Sequence, residues 1–254
     1  MIIDTHSHIY YDKFNLDINE VINRAIDAGV KKIICVAVDI STAEKCFDIC
    51  EKYSSIYMTA GIHPHESQKV PKDYLKTIES FLNYPKTVGL GEIGLDYHYN
   101  FSQPEIQIPI YIEQLELAKN YNLPAVIHCR EAEQDIFDGI VSTKSKKGVI
   151  HCFSGNYDFA TKIIKTGYKI SFTGLITFTG NTFKKVIEKI DLSNIMVETD
   201  SPYLTPHPNR GKRNEPQYVR YVVEQISKWK NLPFKEIENQ TTKTALQLFS
   251  KLSN

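Results

Sequence analysis

Eight short apolar, β-branched runs recur along the chain, separated by longer stretches of helical periodicity. This alternation constrains the fold more than any other feature. The runs fall at 2–9, 32–38, 56–62, 88–95, 125–129, 148–153, 169–175 and 195–198. Near-continuous apolar character over such lengths marks strands buried on both faces, as parallel sheets require. The intervening segments 18–28, 41–52, 72–83, 105–120, 131–141, 157–165 and 181–190 read as helices. In the first of them Ile18, Val21, Ile22, Ala25 and Ile26 line one stripe. Gly29, Pro85, Pro124 and Gly167 stand where helices should stop. Strands alternating with helices predict parallel βα units, and eight of them in ~250 residues is the size of a (β/α)8 TIM barrel, an α/β fold. Stretches 215–230 and 233–252 supply closing helices. A doubly wound open sheet is the alternative, but no glycine-rich phosphate loop accompanies the strands. With no low-complexity tract or linker, residues 1–254 are expected to form a single domain.

The charge balance narrows the partners. Lys and Arg number 30 and Asp and Glu 30, which argues against wholesale coating of nucleic acid but leaves room for a local phosphate grip. No apolar stretch approaches the ~18 to 20 residues of a membrane helix. Asp4, His6 and His8 stand where a secretory leader would carry a basic start and an apolar run. Cys35, Cys46, Cys50, Cys129 and Cys152 form no CxxC pair and read as reduced thiols. These features together predict a soluble cytoplasmic protein, and nothing demands more than a monomer.

The apolar runs are interrupted in a pattern. The first, "IIDTHSHI", carries His6 and His8, and strand alternation would put both on one face with Asp4. The third ends "GIHPHE" with His63 and His65, and the fourth, "GLGEIGLD", holds Glu92 among glycines and aliphatics. The fifth ends "IHCR" with His128 and Arg130, the sixth "IHCF" with His151, and the eighth "VETDSP" with Glu198 and Asp200. Singly, each is an ordinary strand-end or turn residue. Together they would meet at the carboxyl-end mouth of a barrel, where sites assemble from several strands. Burying several imidazoles and carboxylates at one point is costly without a partner for each, and divalent cations supply that partner. Mixed nitrogen and oxygen donors suit Zn, Mn, Fe, Co or Ni better than calcium. Six donors exceed the needs of one catalytic ion, so two metals sharing a carboxylate fit the count. Cys129 and Cys152 directly follow their histidines and should point to the opposite strand face.

"DTHSH", "GIHPHE", "GEIGLDYHY", "HCR", "HCFSG", "ETDSPYLTP" and the later "NRGKRNEP", in this order, resemble the TatD family of metal-dependent deoxyribonucleases within the amidohydrolase superfamily. The resemblance spans essentially the whole chain and implies a TIM barrel of the metallo-dependent hydrolase type. It implies that His6, His8 and Asp200 hold one divalent metal, that His128 and His151 hold a second, and that Glu92 bridges both. His63 would face the substrate phosphate, and the metals would be Mg, Mn or Zn.

Such a site can lower the pKa of a water between two cations and neutralise charge on a phosphoryl group. Asp200 can then orient the water and accept its proton, with His63 assisting at a nonbridging oxygen or the leaving group. Arg130 shares the His128 face and either binds phosphate or neutralises a carboxylate. Arg210, Lys212 and Arg213 form the one local basic cluster near the mouth, and Tyr97 and Tyr99 offer rings for base stacking. The favoured reading is a 3'-5' exodeoxyribonuclease acting on single-stranded DNA or 3' ends. The alternatives are a deacylase or esterase with the same metals, acting for instance on aminoacyl-tRNA, and a non-enzymatic metal-binding scaffold.

Overall fold

A computed structural model of the chain describes residues 1–99 and 101–253. Eight parallel strands, β1 Ile2–Ser7, β2 Val30–Val36, β3 Ile56–Ala60, β4 Thr87–Asp96, β5 Ala125–Arg130, β6 Gly148–Ile150, β7 Lys169–Phe172 and β8 Ile195–Val197, follow one another in chain order around one sheet. The seam between β1 and β8 is joined at its carboxyl end. Asp200 N donates to the His6 carbonyl (2.9 Å) and His8 N to the Ser201 carbonyl (2.7 Å). The ring this makes is the expected TIM barrel, and it puts every strand's carboxyl end on one rim.

Helices α1 Ile18–Asp27, α2 Ile40–Lys52, α3 Tyr74–Leu82, α4 Pro104–Asn120, α5 Glu133–Thr143, α6 Tyr157–Lys165, α7 Lys184–Lys189 and α8 Val219–Lys230 wrap the strands. Local chemistry sets several of their starts. The Asp39 carboxylate accepts from Thr42 N (2.8 Å) and Thr42 Oγ1 reaches back to Asp39 N (2.9 Å), a reciprocal cap on α2. The Asn156 side chain caps α6 through Phe159 N (2.9 Å). α7 is shorter than its periodicity implies, and Pro216 opens a short 3-10 turn before α8. Two cores result. One fills the space between strands and helices. The other fills the barrel with Ile3, Ile34, Val36, Val88, Val126 and Met196, and is closed at the amino-end by Ala245, Leu248 and Phe249 near the end of α9 Phe234–Leu248. With one end stoppered by a helix, the opposite end is left to carry the polar residues.

Candidate metal centre

Glu92 sits on β4, 3% exposed, with an imidazole on nearly every side. Its two carboxylate oxygens serve different groups. Oε2 lies 3.4 Å from His6 Nε2 and 3.6 Å from His8 Nε2, and Asp200 Oδ1 stands 3.8 and 3.3 Å from those same two nitrogens. Oε1 lies 2.8 Å from His151 Nε2, 3.1 Å from His128 Nδ1 and 3.4 Å from His63 Nε2. The six residues named from the strand ends as ligands therefore converge, split into two donor groups joined through one carboxylate. Gly94 is needed for this approach. It holds φ +136°, and a Cβ there would collide with the His128 carbonyl oxygen on β5.

The outward nitrogen of several rings is already committed. His8 Nδ1 meets the Val36 carbonyl (2.7 Å) and His128 Nε2 meets Asp96 Oδ2 (2.9 Å). His151 Nδ1 faces Glu198 Oε1 at 3.5 Å. A ring that donates outward presents its other nitrogen inward, as a lone pair in the neutral form. Those inward nitrogens crowd one another: His6 and His8 Nε2 are 3.2 Å apart, and His128 Nδ1 and His151 Nε2 are 3.3 Å apart. Lone pairs this close to each other and to a carboxylate need a shared cation or a proton between them, so the donor set fits divalent metal ions. Among the described residues His6 Nδ1 and His151 Nδ1 are buried with no hydrogen-bond partner, Glu198 standing too far from the latter for a good bond, and the two rings stack with centroids 3.9 Å apart.

The protonation balance points the same way. Burial pushes every one of these imidazoles towards neutrality, and the carboxylates oppose it. Burial wins at His6, whose pKa is lowered. The carboxylates win at His8, His128 and His151, whose pKa values are raised by Asp200, by Asp96 with Glu92, and by Glu92 with Glu198. Burial would raise Glu92 and Asp200 as well, yet the surrounding imidazoles hold both below the usual carboxylate range. Proton and metal ion compete for these nitrogens, which ties metal affinity to pH.

His63 is different. Its Nδ1 accepts the His65 amide N–H (3.1 Å), and burial pushes its pKa down to about 4, not the near-neutral value of a free imidazole. The ring is therefore neutral and carries its proton on Nε2, pointing into the site. It offers a hydrogen-bond donor where the other rings offer lone pairs.

These groups border a cavity of about 710 Å³, with Tyr11, His65, Asp96, Tyr99, Arg130, Leu175 and Tyr203 among its walls. Arg130 lies there with its Cζ 4.7 Å from the Tyr99 ring centroid and no ion pair among the described residues. Arg210 is not part of the wall: it stacks on Phe178 (3.7 Å) and donates to the Thr205 carbonyl (2.8 Å). Arg213 is occupied too, its guanidinium donating to Asp17 Oδ2 (2.7 Å) and Glu215 Oε1 (2.9 Å). Tyr97 packs against the core and donates to Asp135 (2.6 Å), leaving Tyr99 as the available ring of the pair.

Two expectations need correction. Cys152 borders the cavity after all, because it follows β6 with φ +44° and strand alternation no longer applies, whereas Cys129, within β5, packs against the core between strands and helices. Burial pushes the Cys129 thiol up to about 12, so it stays protonated and is a poor ligand. Asp4 does not share the His6 and His8 face. A register irregularity between Asp4 and Ser7 separates them, and Asp4 instead accepts from Thr199 N (2.8 Å) and Thr199 Oγ1 (2.6 Å). Sequence reasoning also passed over Asp96, whose Oδ2 takes bonds from both His128 and His65 (each 2.9 Å). Its only sequence signal was a carboxylate at the end of the "GEIGLD" strand.

A (β/α)8 barrel whose rim gathers buried imidazoles around a split carboxylate defines a metal-dependent hydrolase. The sequence profile described as TatD related DNase matches residues 3–250, and the chain belongs to that family. It is 38% identical over 252 residues to the uncharacterized metal-dependent hydrolase YabD of Bacillus subtilis, covering 98% of this chain and 99% of the relative. It is 30% identical over 227 residues to the 3'-5' ssDNA/RNA exonuclease TatD of Shigella flexneri, covering 86% and 87%. The crystal structure of YJJV, a TatD homolog from Escherichia coli K12, superposes with a TM-score of 0.93 at 31% identity and covers 98% of both chains. No helix among the described residues is long and apolar enough to cross a membrane.

Proposed function

We propose that this chain hydrolyses phosphodiester bonds in single-stranded DNA, working from the 3' end with two divalent cations of the Mg, Mn or Zn type. The observation that carries the reading is the division of Glu92: one oxygen faces His6 and His8, whose Nε2 atoms Asp200 also approaches, and the other faces His128, His151 and His63. His6, His8 and Asp200 would hold one ion, His128 and His151 the other, with Glu92 common to both. Ions so placed would supply Lewis acidity to the attacking water and to the phosphoryl group.

The remaining steps belong to the chain's own side chains. Asp200, kept ionised by the neighbouring imidazoles, accepts the proton of the attacking water. His63 donates its Nε2 proton to a nonbridging phosphoryl oxygen, a bond that strengthens as negative charge develops there. Arg130 supplies a fixed positive charge at the wall. Arg210, held on Phe178, is left as a contact for more distant parts of the strand. The similarity to relatives named as 3'-5' ssDNA/RNA exonucleases favours a nucleic-acid strand over other esters.

The test is direct. A 5'-labelled single-stranded oligonucleotide incubated with protein and Mn²⁺ should shorten from its 3' end. EDTA and Glu92→Gln should each abolish the shortening, the variant retaining the parent's cooperative melt. DNA left intact by a preparation that hydrolyses an aryl ester or aminoacyl-tRNA would overturn the reading in favour of a deacylase.

A further inference from the structure

Few large apolar side chains of this protein are exposed, and three of them are aromatic rings at the cavity mouth: Tyr99 (42% exposed), Phe101 (61%) and Tyr203 (47%). They do not form one patch. Tyr99 and Phe101 follow β4, beside the β5 end that carries Arg130. Tyr203 follows β8, beside Tyr11 and Lys13, which follow β1. In a ring ordered β1 to β8, the β4–β5 and β8–β1 seams are diametrically opposed, with the Glu92 cluster between them.

The two walls repeat one design. On the first, Tyr99 is braced by rings packed against it, with His65 perpendicular (centroids 5.6 Å, 89°) and Phe101 tilted (5.7 Å, 38°), and the Arg130 guanidinium lies 4.7 Å from its centroid. On the second, Tyr203 is braced edge-on by Tyr11 (5.9 Å, 80°), and Lys13 Nζ lies 5.8 Å from its centroid. Each wall thus presents a partly exposed ring with a cation over it. An amphipathic ring exposed at a ligand cavity is available to stack on a flat partner. A flat ring beside a fixed positive charge is complementary to a nucleotide, which is a flat base attached to an anion.

We infer that the two walls are separate base platforms, Tyr99 with Phe101 receiving the base on one side of the scissile phosphate and Tyr203 receiving the base on the other. This rests on the phosphodiester reading above and deepens it. Two platforms on opposed seams require the neighbouring bases to part from each other and from any complementary strand. Preference for unpaired ends then follows from geometry, with no groove-reading element needed.

The test replaces either base and either ring. Single-stranded oligonucleotides carry an abasic residue at the 3'-terminal or the penultimate position, and kcat/KM is measured with Mn²⁺ for the parent, Tyr203→Ala and Tyr99→Ala/Phe101→Ala. Each abasic substitution should lower the parent's kcat/KM about 5- to 150-fold, the range of one base–aromatic stack. Each variant should show a similar loss on natural DNA. It should also become indifferent to the abasic residue at one position only, a different position for each wall. Tyr203→Phe and Tyr99→Phe keep the π-surface and should restore most of the parent's kcat/KM, which a misfolded site would not allow. Cleavage of natural DNA at the parent's rate by both alanine variants would overturn the proposal. So would ring and base losses that simply multiply. A parent protein that leaves natural DNA intact would instead overturn the phosphodiester reading and this inference with it.

Discussion

Asp96→Asn should damage metal binding more than Asp96→Ala, although asparagine is the closer mimic of the native shape. The reason lies in how the four acceptor directions are used. Oδ1 accepts the amide N–H groups of His98 and Tyr99 (each 3.0 Å), while Oδ2 accepts His65 Nε2 and His128 Nε2 (each 2.9 Å). Burial alone would raise this carboxyl, but the His128 and His65 bonds hold it far below the usual range, so both oxygens act as pure acceptors. An asparagine must turn its oxygen to the two backbone amides, since their N–H groups cannot accept. Its NH2 then faces two ring nitrogens. A donor there makes His128 Nε2 an acceptor and moves the ring proton to Nδ1, the atom 3.1 Å from Glu92 Oε1. The nitrogen that should offer a lone pair to a cation carries a proton instead. Alanine removes the orienting bond but imposes no tautomer.

Loss of such an orienting partner lowers metal affinity about 10- to 100-fold, or roughly 1.4–2.7 kcal/mol. Asparagine should fall at or beyond the upper end and alanine at the lower. The assay is calorimetric titration of Mn²⁺ into chelator-stripped protein. The weakened step should belong to the His128 and His151 side, with the His6, His8 and Asp200 side changed less. The order separates tautomer control from simple packing, because packing alone predicts the isosteric asparagine to be milder. Asparagine binding Mn²⁺ with the parent's affinity and stoichiometry would refute the argument, as would alanine proving the worse of the two.

Three other outcomes can be checked by thermal melting of metal-free protein. Asp4 is buried with no cation paired to it among the described residues, and desolvation pushes its pKa up to about 8; the folded state therefore keeps a proton that the unfolded state has lost, and stability falls as pH rises between about 4 and 8. Asp4→Asn removes that dependence, so its Tm should gain on the parent's steadily across this window, and a constant gap would contradict it. Asp17 is held down to about 2, chiefly by its bond to Arg213, and Glu215 is lowered by Arg24 and Arg213 against the effect of burial. Their contribution is present above the unfolded carboxylate range and is lost as pH falls towards 2, so Arg213→Met should melt below the parent at pH 7 and converge with it in acid. Gly94→Ala should cost about 3 kcal/mol or more through positive-φ strain and overpacking against β5, with Mn²⁺ affinity falling alongside, and a melt within a degree of the parent would count against that close approach.

The barrel and the convergence of the strand-end residues were legible because each rests on a choice the sequence cannot disguise. A strand buried on both faces must be apolar along its length, so any imidazole or carboxylate at its end stands out, as Glu92 does between Gly91 and Ile93. What supports those residues was not legible, because a second partner need only present an acceptor and many groups can. His8 is oriented by the Val36 backbone carbonyl, which leaves no side-chain trace at all. His128 is oriented by Asp96, one carboxylate among 30 acidic residues, identifiable only once β4 and β5 are side by side. Basic residues misled for the converse reason. Arg210 and Arg213 sit in one short loop and look equivalent in sequence, yet an exposed cation takes whatever anion or ring lies within reach, and here these are Phe178 for one and Asp17 with Glu215 for the other. Arg130 has no ion pair among the described residues although Asp96 lies across from it on β4, because that carboxylate is already taken up by His65 and His128, and this leaves the Arg130 charge available to a phosphate.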